Sequence, residues 1–91
     1  MSVQHNSDDQ QFTISRDGYE GELAYAYPCN GIIDFTHTFV EEGLRGQGAA
    51  DELATAGLAF AREQCLKVRT SCTFMAKFVK RNHAEYADVL A

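Results

Sequence analysis

Ninety-one residues, 45% hydrophobic and 23% charged, fit one small folded domain and exclude a wholly disordered chain. The formal net charge of -5, from 13 acidic and 8 basic residues, excludes the strongly basic surface that nucleic-acid binding requires. Cys29, Cys65 and Cys72 contain no CxxC pair, no apolar run nears the ~18 residues of a membrane span, and no apolar leader opens the chain, so a cytoplasmic protein without disulfides, zinc or membrane contact is expected.

Residues 1–10 (MSVQHNSDDQ) are polar and read as a frayed tail, leaving 11–91 as the domain. Alternation begins at Phe12, Ile14 and Arg16, a strand closed by the turn signal Asp17-Gly18. Glu22 to Tyr27 reads as a second strand, and Asn30-Gly31 is a hairpin signal. The β-branched and aromatic run Ile32–Val40 reads as a long third strand with a break or bulge near Thr36–Thr38. Its alternation puts Phe35, His37 and Phe39 on one face.

Beyond Gly43 the period becomes helical. Ala50, Leu53, Ala54, Gly57, Phe60 and Ala61 form one stripe of a helix over about residues 47–64, and its many small residues let it lie close on a sheet. Leu66–Thr70 reads as a short strand, parallel to the third because a helix joins them. Phe74–Leu90 reads as helical with a break near Asn82-His83. The fold class is α+β: a curved, mixed, mostly antiparallel sheet with one long helix and a short helical C-terminus.

The stretch Val40-Glu41-Glu42-Gly43-Leu44-Arg45-Gly46-Gln47-Gly48-Ala49-Ala50 joins a strand to the long helix. Amides at a helix start have no acceptor within the helix and carry the positive end of its dipole, which makes an anion site. Gly46 and Gly48 let the backbone approach a phosphate, Arg45 adds a forked cation, and Ala49 and Ala50 keep the first turn low. A tight turn without a ligand would use the same glycines. No Gly-Lys-Ser/Thr ends the loop and no GxGxxG spacing occurs, so neither a Walker loop nor a dinucleotide fingerprint is present.

Arg45-Gly46-Gln47-Gly48-Ala49-Ala50 resembles the acetyl-CoA signature Q/R-x-x-G-x-G/A of the GNAT superfamily of N-acetyltransferases. The ordered set His37-Thr38-Phe39-Val40, Leu44 to Gly48, Cys72 with Phe74, and His83-Ala84-Glu85-Tyr86 resembles its small YjdJ-type branch over residues 12–90. The resemblance implies a minimal GNAT-like fold and an acetyltransferase moving acetyl from acetyl-CoA to a primary amine, on a small molecule or a lysine side chain. It implies a strand edge at Phe39-Val40 along the pantetheine arm, Arg45 to Ala50 around the pyrophosphate with Lys77 and Phe78 nearby, and the thioester where the third strand splays from the strand after the helix. Thr70, Thr73 and Ala84 stand where the family commonly has proline.

The resemblance places a cysteine at Cys72, as acetyl acceptor or as proton donor to departing CoA; a small buried hydrophobe is the plain alternative. His37 is the natural base by residue type, or a structural histidine. Cys29 and Cys65 read as structural and His83 as a cap or surface residue. Asp51 and Glu52 would oppose a bound pyrophosphate unless Lys77, Lys80 or Arg81 offsets them. Two other readings stay open: a non-catalytic acyl-CoA-binding or sensing module, and an interaction domain with a vestigial phosphate loop. A monomer or weak dimer is expected.

Overall fold

A computed structural model describes residues 3–44, 46 and 48–90. Five strands follow chain order across one open sheet: β1 (Val3–Asn6), β2 (Gln11–Arg16), β3 (Tyr19–Cys29), β4 (Ile32–Val40) and β5 (Lys67–Thr70). β1 to β4 form an antiparallel meander, and β5 pairs parallel to β4 from Ile32 opposite Lys67 to Phe35 opposite Thr70. α1 (Ala49–Glu63) makes the crossover between them. α2 (Thr73–Arg81), α3 (His83–Tyr86) and a 3-10 turn at Ala87–Val89 finish the described chain, and Leu90 bridges to Val68 of β5. The architecture is α+β, a mixed and mostly antiparallel sheet with one long helix and a short helical C-terminus, as the sequence predicts. Among the described residues no helix is long and apolar enough to cross a membrane.

The antiparallel meander has four strands where the sequence predicts three, which makes the sheet five-stranded. Residues 3–6, read as part of a frayed tail, form β1, with Val3 opposite Ile14 and His5 opposite Phe12. Side chains far away in sequence hold it there. The His5 ring stacks on Phe12 with centroids 4.2 Å apart, meets the edge of Phe60, and hydrogen-bonds the Tyr25 hydroxyl. Burial, with Tyr27 beside it, pushes the Tyr25 phenol up to about 12.

Phe12, Ile14, Leu23, Tyr25, Ile33 and Phe35 fill the inner sheet face against Leu53, Ala54, Leu58 and Ala61 of α1. The small-residue stripe has the predicted consequence at Gly57: a Cβ there would sit 2.8 Å from Phe35 and 3.0 Å from Leu23. Any side chain on Gly57 would push the helix off the sheet. The least extent of the molecule, 20 Å, is the depth of one sheet layer and one helix layer.

β4 carries the bulge predicted near Thr36–Thr38. Ala24 faces His37 and its neighbour Tyr25 faces Phe35, so Thr36 is the extra residue, and its hydroxyl donates to the Ala24 carbonyl at 3.4 Å. One extra residue reverses the alternation beyond it. Phe35 is buried inward, Thr38 shares a face with buried Leu23, and His37 and Phe39 turn to the opposite, exposed face. The expectation that Phe35, His37 and Phe39 share a face is thereby corrected: the bulge separates Phe35 from the other two.

Candidate functional site

The strand-to-helix loop is pinned before it opens. The Glu41 N–H donates to the Glu20 carbonyl at 3.0 Å and the Leu44 N–H to the Glu41 carbonyl at 2.9 Å. Leu44, in a short 3-10 turn at Glu42–Leu44, is almost fully buried. The backbone then turns through left-handed conformations at Gly46 (φ 80°) and Gly48 (φ 77°). A Cβ at either would meet nothing within 4 Å, so both positions need the torsion and both leave open space.

Gly48 caps α1 without any side-chain cap, and the first turn closes when the Glu52 N–H reaches the Gly48 carbonyl at 3.0 Å. The amides of Ala49, Ala50 and Asp51 precede that bond and have no acceptor within the helix. They face a cleft of about 350 Å³ lined by Val40, Leu44, Gly46, Gly48, Ala49, Ala50 and Asp51. Five of the expected cofactor residues, Val40, Gly46, Gly48, Ala49 and Ala50, are thus brought together. Arg45 and Gln47 lie outside the described residues.

Both carboxylates of the first turn have cationic partners. The Arg81 guanidinium lies 3.8 Å from Asp51, and Arg16 donates to Glu52 at 3.0 Å. Offset of Asp51 by Arg81 follows the sequence reading. Arg16 came from β2, thirty-six residues earlier, where nothing in the sequence marked it as a partner. Lys77 is exposed one turn before Arg81, while the Phe78 ring is buried against Phe74 and Tyr86 beneath the Arg81 guanidinium. Neither Lys77, Phe78 nor Phe39 lines the cleft among the described residues. Phe39 is 46% exposed on the outer face.

Two other basic residues of the C-terminal third serve a different end. Arg62 donates to the Glu85 carbonyl at 2.7 Å and to the Asp88 carboxylate at 2.9 Å, and Lys67 donates to the Asp88 carbonyl at 2.7 Å. Arg62 and Lys67 are therefore a clasp holding the C-terminal turns to α1 and β5. The Arg62 hydrogen bond holds the Asp88 carboxyl below its ordinary value, and burial raises the Tyr86 phenol.

β4 and β5 part beyond Phe35. The Cys72 N–H still donates to the Phe35 carbonyl at 2.9 Å, and α2 then leads the chain away while β4 runs on to Val40. Cys72 stands in this fork, 9% exposed, with its sulfur 3.2 Å from the Thr38 hydroxyl. Thr38 and the Asp34–Ser71 contact are the parts sequence reasoning missed. Asp34 accepts the Ser71 N–H at 3.0 Å and the Ser71 hydroxyl at 2.7 Å. An aspartate inside a β-branched strand was the available signal, since that residue is depleted in strands.

His37 is exposed and on the face opposite Thr38, so the two side chains proposed for chemistry, Cys72 and His37, are not brought together. Cys29 and Cys65, read as structural, are both exposed. His83 is exposed in α3.

The family model described as GCN5-related N-acetyl-transferase matches residues 11–89. Protein NATD1 of Homo sapiens is 38% identical over 84 residues, covering 90% of this chain and 74% of that protein. Protein NATD1 of Gallus gallus is 37% identical over 84 residues, covering 90% and 76%. An NMR solution structure of a GCN5-like candidate N-acetyltransferase from Staphylococcus aureus superposes with a TM-score of 0.75 at 31% identity, covering 99% of this chain and 87% of that one. The chain belongs to the GCN5-related N-acetyltransferase family.

Proposed function

We propose that the protein is an acetyltransferase that moves acetyl from acetyl-CoA to a primary amine, on a small molecule or a lysine side chain. The observation that carries this reading is the continuity of one surface: the cleft at the start of α1 shares Val40 with the end of β4 that runs on past β5, and there the inward Thr38 meets the Cys72 sulfur. The open space at Gly46 and Gly48 and the three unpaired amides suit a pyrophosphate. The β4–β5 ladder ends at Phe35 among the described residues, and the edge of β4 beyond it, with Phe39 and Val40 at its end, is the one along which a pantetheine arm would run. Arg45 and Gln47 would complete the loop, with Lys77 adding charge at the rim and Phe78 supporting α2 from below.

Bound acetyl-CoA supplies an activated acetyl thioester, which passes its acetyl group to an amine nitrogen as CoA leaves as the thiol. To Cys72, in the fork, we assign protonation of the departing sulfur or carriage of the acetyl itself. Titration of the folded protein with CoA is the first test: no binding at millimolar ligand removes the reading. Turnover with a panel of amines, wild type beside Cys72→Ala, then tests transfer, and mass spectrometry after incubation with acetyl-CoA tests acetylation of Cys72.

One observation favours a second reading, a non-catalytic acyl-CoA-binding or sensing module. His37, the expected base, turns away from the fork. Binding of acetyl-CoA without turnover of any amine would select it.

A further inference from the structure

We propose that Thr38 is the positioning residue for Cys72: its hydroxyl sets the direction of the sulfur and accompanies it through gain and loss of a proton. The inference rests on the acetyl-transfer reading above for its use, but its geometry stands apart from it. The backbone of Cys72 is already fixed. Asp34 grips Ser71 through both the amide and the hydroxyl, and the Cys72 N–H donates to the Phe35 carbonyl. What remains free is the torsion that swings the sulfur, and Thr38 Oγ1 at 3.2 Å is the polar group that holds it. The sulfur is not spent on capping α2, although Cys72 occupies the cap position.

Thr38 reaches the fork only because of the bulge at Thr36. In an unbroken strand the inward places after Phe35 would be His37 and Phe39, and Thr38 would face solvent. The extra residue inverts this and delivers a hydroxyl instead of an imidazole. A hydroxyl both donates and accepts. It accepts from the thiol S–H, and it rotates to donate to the thiolate, so the contact survives in both states. A carbonyl in its place would lose the contact on deprotonation, and a methyl would never make it.

The test uses the full chain with Cys29→Ser and Cys65→Ser, leaving Cys72 as the sole thiol. Alkylation of Cys72 by iodoacetamide is followed from pH 6 to pH 10 by mass spectrometry. Thr38→Val, of nearly equal shape, is expected to slow alkylation about fivefold at neutral pH, because the hydroxyl bonds the charged thiolate more strongly than the neutral thiol. Slowing that shrinks toward the alkaline end of the series is the expected sign of a role in ionisation. Thr38→Ser restores the parent profile, and Thr38→Ala repeats the valine result should valine disturb the fold. Equal profiles for valine and parent overturn the proposal, as does a slowing that is the same at every pH, which would be a change of access alone. CoA titration of the same variants separates the two readings. A parent that ignores CoA but follows the predicted profile sinks acetyl transfer and keeps the Thr38–Cys72 pair; a parent that binds CoA with a profile blind to Thr38 does the reverse.

Discussion

The two ends of the sheet are built on opposite principles. At one end β1, β2, β3 and the C-terminal half of α1 meet in an aromatic cluster of His5, Phe12, Tyr25 and Phe60, closed by a hydrogen bond between the imidazole and the tyrosine hydroxyl. At the other, β4 runs into Gly46 and Gly48 and the helix opens without a side-chain cap onto a cleft. The first end gains stability from groups that fill space. The second gains a site from groups that are missing. In a domain this small the filled end must carry more than its share, since only about 60% of the unfolded chain's surface can be buried at all.

Substitutions should therefore divide, costing stability at one end and affinity at the other. The largest effect is expected from Phe12→Ala, a buried ring in the closed cluster, at about 3–5 kcal/mol of stability. For a domain of this size that lowers Tm by roughly 15 °C or more. CoA affinity measured in the cold, where the variant is still folded, should match wild type. A loss of affinity there would break the division between the ends.

Gly57, under the middle of α1, tests the close approach on which both ends depend. Alanine is the better helix former by about 1 kcal/mol. Its methyl nevertheless would meet Phe35 at 2.8 Å, and overpacking of this kind costs about 1–3 kcal/mol. Net destabilisation in a thermal melt is the expected outcome for Gly57→Ala; a rise in Tm would mean that the sheet yields.

At the open end Gly48→Asp should do the converse. Aspartate tolerates the left-handed torsion better than most residues and is a good helix cap, so Tm should move by only a few degrees. Its carboxylate would sit at the mouth of the anion cleft, and CoA affinity should fall by at least about tenfold in titration. Retained affinity would detach the cleft from the cofactor.

The open end was also the more legible in sequence. Glycine spacing, the switch from β to helical period and the small-residue stripe are local patterns, and local patterns survive in one dimension. The closed end was not, because β1 is a polar tetrapeptide whose partners Phe12, Tyr25 and Phe60 are distant; nothing near His5 announces a strand. The bulge was legible as a strand too long to run straight, but which residues it would turn inward was not. One inserted residue exchanges His37 for Thr38, and a register change of that size leaves no mark in composition or period. Arg16 and Arg62 were hidden for the same reason: their carboxylate partners lie in other elements.

The smallest effect belongs to neither end but to the clasp that seals the C-terminal turns. The Asp88 carboxyl is held below its ordinary value, first by the Arg62 hydrogen bond. A carboxyl with a lowered folded-state pKa binds fewer protons folded than unfolded, so its contribution is complete above its unfolded value and fades as pH falls through the folded one. Both partners are largely exposed, so the contribution is modest and screened by salt. Asp88→Asn should accordingly lower Tm slightly at pH 7 in dilute buffer, with the gap to wild type closing as the pH falls through the carboxyl's lowered value and also in molar salt. A gap that ignores both acid and salt would mean that Asp88 acts through its backbone carbonyl on Lys67 and not through its charge.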